Sequence, residues 1–182
     1  MITIMRNKRK KILILGATGF IGRNLVEKFS SSSFYDVHAV RFSSQKYNLK
    51  GVTWHRADLR KPEKINKIIS NTSILIQAAA TTSGSKDIVL RPHIHVTDNA
   101  VMNSLLFRAA YENKVKHVIF FSCTVMLQTS DRPQTEVDYD ANLEIHPRYF
   151  GAASTKLYIE KMCDFYSRIG ETKFTAIRHT NI

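Results

Sequence analysis

The chain has 182 residues, 43% hydrophobic and 23% charged, which is the composition of one globular domain and excludes a disordered polymer. Its two cysteines, Cys123 and Cys163, have no metal-ligand spacing and exclude a disulfide scaffold, and no apolar run is long enough to span a bilayer. The formal net charge of +12 points to an anionic partner such as a nucleic acid, a membrane surface or a phosphorylated small molecule.

The elements are predicted in chain order. A basic run, Arg6 to Lys11, reads as a solvated arm ahead of the first strand. Ile12 to Leu15 is a continuous apolar strand of the kind buried on both faces. The helix after it carries Ile21, Leu25 and Phe29 at four-residue spacing, and Ser30 to Ser33 is a polar loop. Asp36 to Phe42 and Val52 to Ala57 are the second and third strands. Pro62 opens a helix whose inner face is Ile65, Ile68 and Ile69. Ser73 to Ala79 is the fourth strand. Asp98 to Asn113 is a helix predicted to turn Val101, Leu105 and Ala109 inward. Val118 to Ser122 is the fifth strand, and a helix around Thr155 to Ile169 places Tyr158, Met162, Phe165 and Ile169 on one buried stripe. Phe174 to Arg178 is the sixth strand.

Strands alternating with helices make an α/β doubly wound parallel sheet of the Rossmann type, with helices on both faces. Its mark is Gly16-Ala17-Thr18-Gly19-Phe20-Ile21-Gly22, set between strand and helix. The first glycine makes the turn and the second lets the backbone approach a pyrophosphate. The third lets the helix pack on the strand and aim its N–H groups at the anion. The same logic applied to the end of the second strand finds Arg41-Phe42-Ser43-Ser44 and no acid. An acid there holds a ribose 2′-hydroxyl, whereas an arginine pairs with a 2′-phosphate, so the residues favour NADP over NAD as the cofactor.

The glycine spacing resembles the extended short-chain dehydrogenase/reductase family of nucleotide-sugar epimerases, dehydratases and reductases, and GDP-fucose synthase-like members above all. The resemblance runs through the chain. Asp58-Leu59-Arg60 matches the family's adenine-contacting segment, and Gln77-Ala78-Ala79-Ala80 the segment beside the cofactor ribose and nicotinamide. Asn99 matches a family helix asparagine, and Ser122-Cys123-Thr124 the catalytic Ser/Thr segment. Lys156-Leu157-Tyr158-Ile159-Glu160 matches the helix with the catalytic lysine, and Arg178 to Ile182 the strand end that leads to the substrate-binding part.

By that resemblance the cofactor set is Gly16, Thr18, Gly19, Phe20, Ile21, Gly22, Arg41, Asp58, Leu59, Ala78, Ala79, Ala80 and Lys156. The catalytic set is Ser122, Tyr149 and Lys156, with Thr124 in reserve for the hydroxyl role. Family members carry a tyrosine four residues before the lysine, and Ala152 stands there. Tyr149 is seven residues before Lys156. Either residues 150–153 rearrange locally and return Tyr149 to its place, or the proton-transfer tyrosine is lost and the domain is a non-catalytic dinucleotide-binding module. The resemblance also implies a nucleotide-sugar substrate and a smaller substrate domain beyond residues 1–182. It further implies a homodimer built on helices 98–113 and 155–169, with Met102, Leu106 and Phe107 outward. No metal site, nucleic-acid motif, export signal or membrane segment is expected, so a cytoplasmic protein is. Cys123 reads as an inert thiol, His93 and His95 as surface residues, and Glu136 and Asp138 as solvating acids of a long loop.

Overall fold

The computed structural model describes residues 9–82, 87 and 90–180. Arg6 to Lys8 of the basic arm and Asn181 and Ile182 of the strand-end segment lie outside the described residues.

Six strands form one sheet: β1 (Lys10–Leu15), β2 (Tyr35–Arg41), β3 (Val52–Arg56), β4 (Ile74–Gln77), β5 (His117–Phe121) and β6 (Lys173–Ile177). All neighbours are parallel, in the order β3-β2-β1-β4-β5-β6. That is the doubly wound Rossmann order, which reverses between β1 and β4 and opens a crevice at their carboxyl ends. The crossovers described are α1 (Phe20–Ser30), α2 (Pro62–Ile69), α3 (Thr97–Glu112) and α4 (Phe150–Ile169). Short 3₁₀ turns at Pro92–His95 and Pro147–Tyr149 precede α3 and α4.

The sheet separates two cores because successive strand residues face opposite sides. Ile12, Ile14, Val37, Ala39 and Ile76 pack on the α1 side with Val26. Leu13, Leu15, Leu75, Val118 and Phe120 pack on the other side against α2, α3 and α4. Lys11 is no part of a solvated arm: its ammonium donates to Ile68 O (2.7 Å) and Ser70 O (2.9 Å), closing the C-terminus of α2.

Two helix faces differ from expectation. On α3 the residues expected outward, Met102, Leu106 and Phe107, are buried, while Val101 is exposed. The helix is covered by the sheet, by α2 and by α4, so it buries most of its circumference and several stripes satisfy the same periodicity. On α4 the buried residues are Ala153, Thr155, Ile159 and Cys163, whereas Tyr158, Phe165 and Ile169 are exposed and Met162 is half-buried. Small side chains let this helix approach the sheet closely, which turns the bulky stripe outward. The helix also starts at Phe150, five residues earlier than expected. His95 is buried rather than on the surface.

Candidate functional site

The phosphate turn is built by close backbone contact. Gly16 has φ +70°, and a Cβ there would lie 2.6 Å from Ala78 O and from Ala79 N. A Cβ on Gly22 would lie 2.1 Å from Gly16 O. Both positions exclude side chains for reasons internal to the fold. Gly19 is different. It is exposed, its φ is −78°, and a Cβ would meet nothing nearer than Gly16 O at 3.4 Å. The fold leaves the space in front of Gly19 open, at the N-terminus of an eleven-residue helix with no side-chain cap and no acid in its first turn. This is the form of an anion cradle, and it fits the pyrophosphate of a dinucleotide. Thr18 is half-buried, Phe20 is exposed and Ile21 half-buried around it.

On one side of the cradle stand the ends of β2 and β3. Arg41 is half-buried, and its guanidinium donates to Ser44 O at 2.9 Å. Among the described residues no carboxylate pairs with it. Asp58 is bound by Arg60 through both carboxylate oxygens, at 2.9 and 3.0 Å. That pairing holds its pKa below the usual carboxylate value. Arg60 also reaches Asp98 (2.9 Å) and lies 5.5 Å from the Phe42 ring centroid. Leu59 is buried, so it can offer a ligand only backbone groups.

On the other side stands β5. Lys156 projects from the second turn of α4 and its ammonium donates to Phe121 O at 2.7 Å, 4.6 Å from the Phe120 ring. Burial lowers its pKa, offset in part by the Cys123 thiol and Glu160. Ser122 follows directly, fully buried, its Oγ without a hydrogen-bond partner among the described residues. Thr124 is half-buried and Cys123, also half-buried, has its thiol pKa raised by burial. An enclosed hydroxyl without a partner costs stability, and such groups concentrate at functional sites.

Tyr149 does not join this group. It is the N-cap of α4, its ring 5.6 Å from that of His146, and the helix from Phe150 to Ile169 is uninterrupted. Seven residues of helix place its Cα about 10 Å from that of Lys156 along the axis. Residues 150–153 are regular helix and do not return Tyr149 to the lysine; Ala152 occupies the position one turn before it.

Sequence reasoning missed two arrangements. Arg178 pairs with Glu160 at 2.8 Å with little exposure of either, donates to Glu136 O (3.1 Å), and so pins the 136–139 turn against α4. Asp138 caps that turn through Thr135. The second is a buried amide chain between β4 and α3. Its signal was present as polar residues, Gln77 and Asn103, at core phases of a strand and a helix.

Comparison with known proteins now decides the family, because residues 12–182 match the family model "NAD dependent epimerase/dehydratase family". The chain belongs to the NAD-dependent epimerase/dehydratase family. A UDP-glucose 4-epimerase from Vibrio cholerae is 30% identical over 124 residues, 67% of this chain and 37% of that protein. Among solved structures, a UDP-glucose 4-epimerase from Brucella ovis in complex with NAD has TM-score 0.80 at 19% identity, over 94% of this chain and 52% of that one. MlghC, a GDP-mannoheptose C4 reductase from Campylobacter jejuni with NADP bound, has TM-score 0.79 at 17% identity, over 95% and 52%. The chain therefore spans about half the length of these structures and less of the curated relative. Among the described residues no helix is long and apolar enough to cross a membrane, and no metal-binding cluster is present.

Proposed function

We propose that this chain is the cofactor-binding part of an NAD(P)-dependent enzyme that acts on a nucleotide sugar, as an epimerase, dehydratase or reductase, by hydride transfer at a sugar carbon. The observation that carries the reading is Lys156. Its buried ammonium is fixed at the end of β5, across the crevice from an open Gly19 cradle, inside a matching family frame. When bound, the nicotinamide supplies a hydride acceptor or donor. The protein's part is to place the pyrophosphate at Gly16, Gly19 and Gly22, to hold the nicotinamide-side ribose with Lys156, and to present a hydroxyl from Ser122 or the more accessible Thr124 to the substrate oxygen. Tyr149, the residue expected to transfer the proton, stands apart from Lys156 at the entrance of α4, so in this reading it serves only if it reaches the substrate from there.

Arg41, which pairs with no carboxylate among the described residues, favours NADP(H) over NAD(H). A homodimer is expected through α3 and α4, and what supports this is that Val101, Tyr158, Phe165 and Ile169 are exposed on these helices, with Ser104 Oγ 3.1 Å from Tyr158 Oη. Sedimentation of the parent and of a Phe165→Glu variant at micromolar concentration tests this; a monomeric parent refutes it.

Ala152 favours a second reading, in which the domain binds dinucleotide without transferring protons. The full chain mixed with NADPH or NADP and a panel of UDP- and GDP-sugars separates the two. Change in the near-ultraviolet absorbance of reduced nicotinamide (a reductase), or conversion of the sugar to its epimer or dehydrated product by chromatography (a redox-neutral epimerase or dehydratase), lost on Lys156→Met, supports the enzyme. Tight cofactor binding with neither an absorbance change nor an altered sugar for any substrate supports the second reading.

A further inference from the structure

Three carboxamides are buried where β4 meets α3, in a region otherwise filled by Leu75, Leu106 and Met102. Gln77 and Asn103 are each 1% exposed and Asn99 is 7% exposed. Gln77 Nε2 donates to Asn103 Oδ1 at 3.0 Å, and Asn103 Nδ2 donates to Asn99 O at 2.8 Å. The outer ends of the chain reach one stretch of backbone. Gln77 Oε1 accepts from Ala79 N (3.2 Å), Asn99 Oδ1 accepts from Thr81 N (2.9 Å), and Asn99 Nδ2 donates to Thr81 O and to His95 O, both at 2.9 Å.

Burying amides is costly unless each is bonded, and apolar residues would fill the same volume at lower cost. The amides therefore need a purpose, and their targets identify it. β4 ends at Gln77 and its last strand contact is Ala78 N donating to Leu15 O of β1 (3.2 Å), so among the described residues no further strand bond sets the path of residues 79–81. From below, that path is held by Gln77 and Asn99. From the side it is held by the phosphate turn, whose Gly16 lies so close that a Cβ would meet Ala78 O and Ala79 N at 2.6 Å. The stretch lies at the end of β4, between the Gly19 cradle at the end of β1 and the Lys156–Phe121 contact at the end of β5. A dinucleotide seated at Gly19 and running towards Lys156 must cross it.

We propose that Gln77 and Asn103, with Asn99, are positioning residues for the nicotinamide half of the cofactor: they hold residues 78–81 in the shape that half requires before it arrives. This rests on the dinucleotide reading above. A ready-made wall lowers the ordering cost of binding for the part of the ligand that touches it. The adenine, its ribose and the pyrophosphate are held by other elements, α1 and the ends of β2 and β3. Loss of the amides therefore weakens binding of the whole dinucleotide and spares ADP.

Two variants and one exchange measurement test this on the full chain. Asn103→Leu leaves Gln77 half-satisfied. The double variant Gln77→Met with Asn103→Leu removes both partners and keeps an apolar fill, which guards against a variant that fails only by misfolding. Calorimetric titrations with NADH, NADPH and ADP are compared with the parent. The better-bound of the two dinucleotides is expected to weaken by about fivefold to tenfold, the worth of roughly one net hydrogen bond, with ADP within about twofold. Dinucleotide affinity unchanged in the folded double variant, or ADP weakened in equal measure, overturns the proposal. Amide hydrogen exchange of the ligand-free parent needs no variant: Ala79 and Thr81 N–H are expected to be protected. Fast exchange at both overturns the proposal whatever the titrations give. A parent that binds neither dinucleotide nor ADP refutes the dinucleotide reading itself, while the exchange result still decides whether the amides hold the stretch.

Discussion

Replacing Ala152 by tyrosine puts a phenol one helical turn before Lys156, on a helix that is regular from Phe150 onward. Side chains four residues apart on a helix have Cβ atoms about 5–6 Å from each other. Two unit charges at that separation interact by about 3 kcal/mol at an effective dielectric of roughly 20, which is worth about two pKa units. Lys156 is suited to deliver this, since its ammonium is anchored on Phe121 O and buried beside the Phe120 ring. Burial also lowers its own pKa, so the new phenol and the lysine titrate as a coupled pair whose apparent values belong to both. The assay is phenolate absorbance against pH for Ala152→Tyr, and for Ala152→Tyr in a Lys156→Met background, each taken as a difference from the chain without the added tyrosine. The added phenol is expected to ionise about two units lower when the lysine is present. Equal values in the two backgrounds would refute the assignment of this helix face, and with it the account of why Tyr149 stands apart. A second readout follows turnover. If no phenol serves the parent, Ala152→Tyr raises hydride transfer to a nucleotide sugar by about 10²–10⁴-fold, the usual worth of a positioned acid–base group. If Tyr149 already serves, the gain is small.

The glycines separate fold from ligand. Gly22→Ala forces a Cβ to within 2.1 Å of Gly16 O and is expected to cost at least about 1–3 kcal/mol in denaturant unfolding. Gly19→Ala meets no such contact and is expected to leave stability within about 1 kcal/mol, while Gly19→Val abolishes dinucleotide binding; retained affinity would mean the cradle is misplaced. Arg41→Ala is expected to weaken NADPH by roughly 10–100-fold, one charge-assisted contact, and NADH little; tighter NADH binding by the parent sinks the NADP preference. Burial lowers the pKa of His55, with help from His38 and Lys11, and that of His117, with help from Lys173. The unfolded chain therefore binds more protons below the ordinary histidine value, so stability is full above about pH 6.5 and declines as pH falls through the depressed folded values. Thermal melts should show this decline, and His55→Gln with His117→Gln should flatten it; an unchanged slope counts against the assignment.

All six strands and the phosphate turn could be read from the residues, because a buried parallel strand and a glycine turn are local signals. Ile12 to Leu15 can be little else, and Gly16 and Gly22 are required by contacts within a few residues or with the neighbouring strand end. The site was less legible. Lys156 and Ser122 stand out by resemblance, but the distance between Tyr149 and Lys156 depends on where α4 begins, and Pro147 with the turn it starts moved that point to Phe150. The amides Gln77 and Asn103 were visible as polar residues at apolar phases, yet only the fold shows that they face each other 26 positions apart, in a chain whose outer members Gln77 and Asn99 hold the same loop.

The misread faces of α3 and α4 follow from a different limit. Periodicity detects that a helix has an apolar stripe and says nothing about what covers it. On α4 the stripe with the larger side chains, Tyr158, Phe165 and Ile169, was assigned to the sheet by size. The core on the sheet instead takes Ile159 and Cys163, and Ala153 and Thr155 are buried with them, small or compact side chains that permit close approach. That leaves two stripes on one helix, one satisfied within the chain and one exposed, whose Tyr158 meets Ser104 of α3. An exposed row of aromatic and branched residues on adjacent helices is costly to leave in water and is what a helix-on-helix contact with a second subunit would cover. The error in assigning the stripe and the case for a dimer thus have the same origin. A helix with two apolar stripes presents more apolar surface than one sheet can use, and the dimer proposed above would cover the surplus.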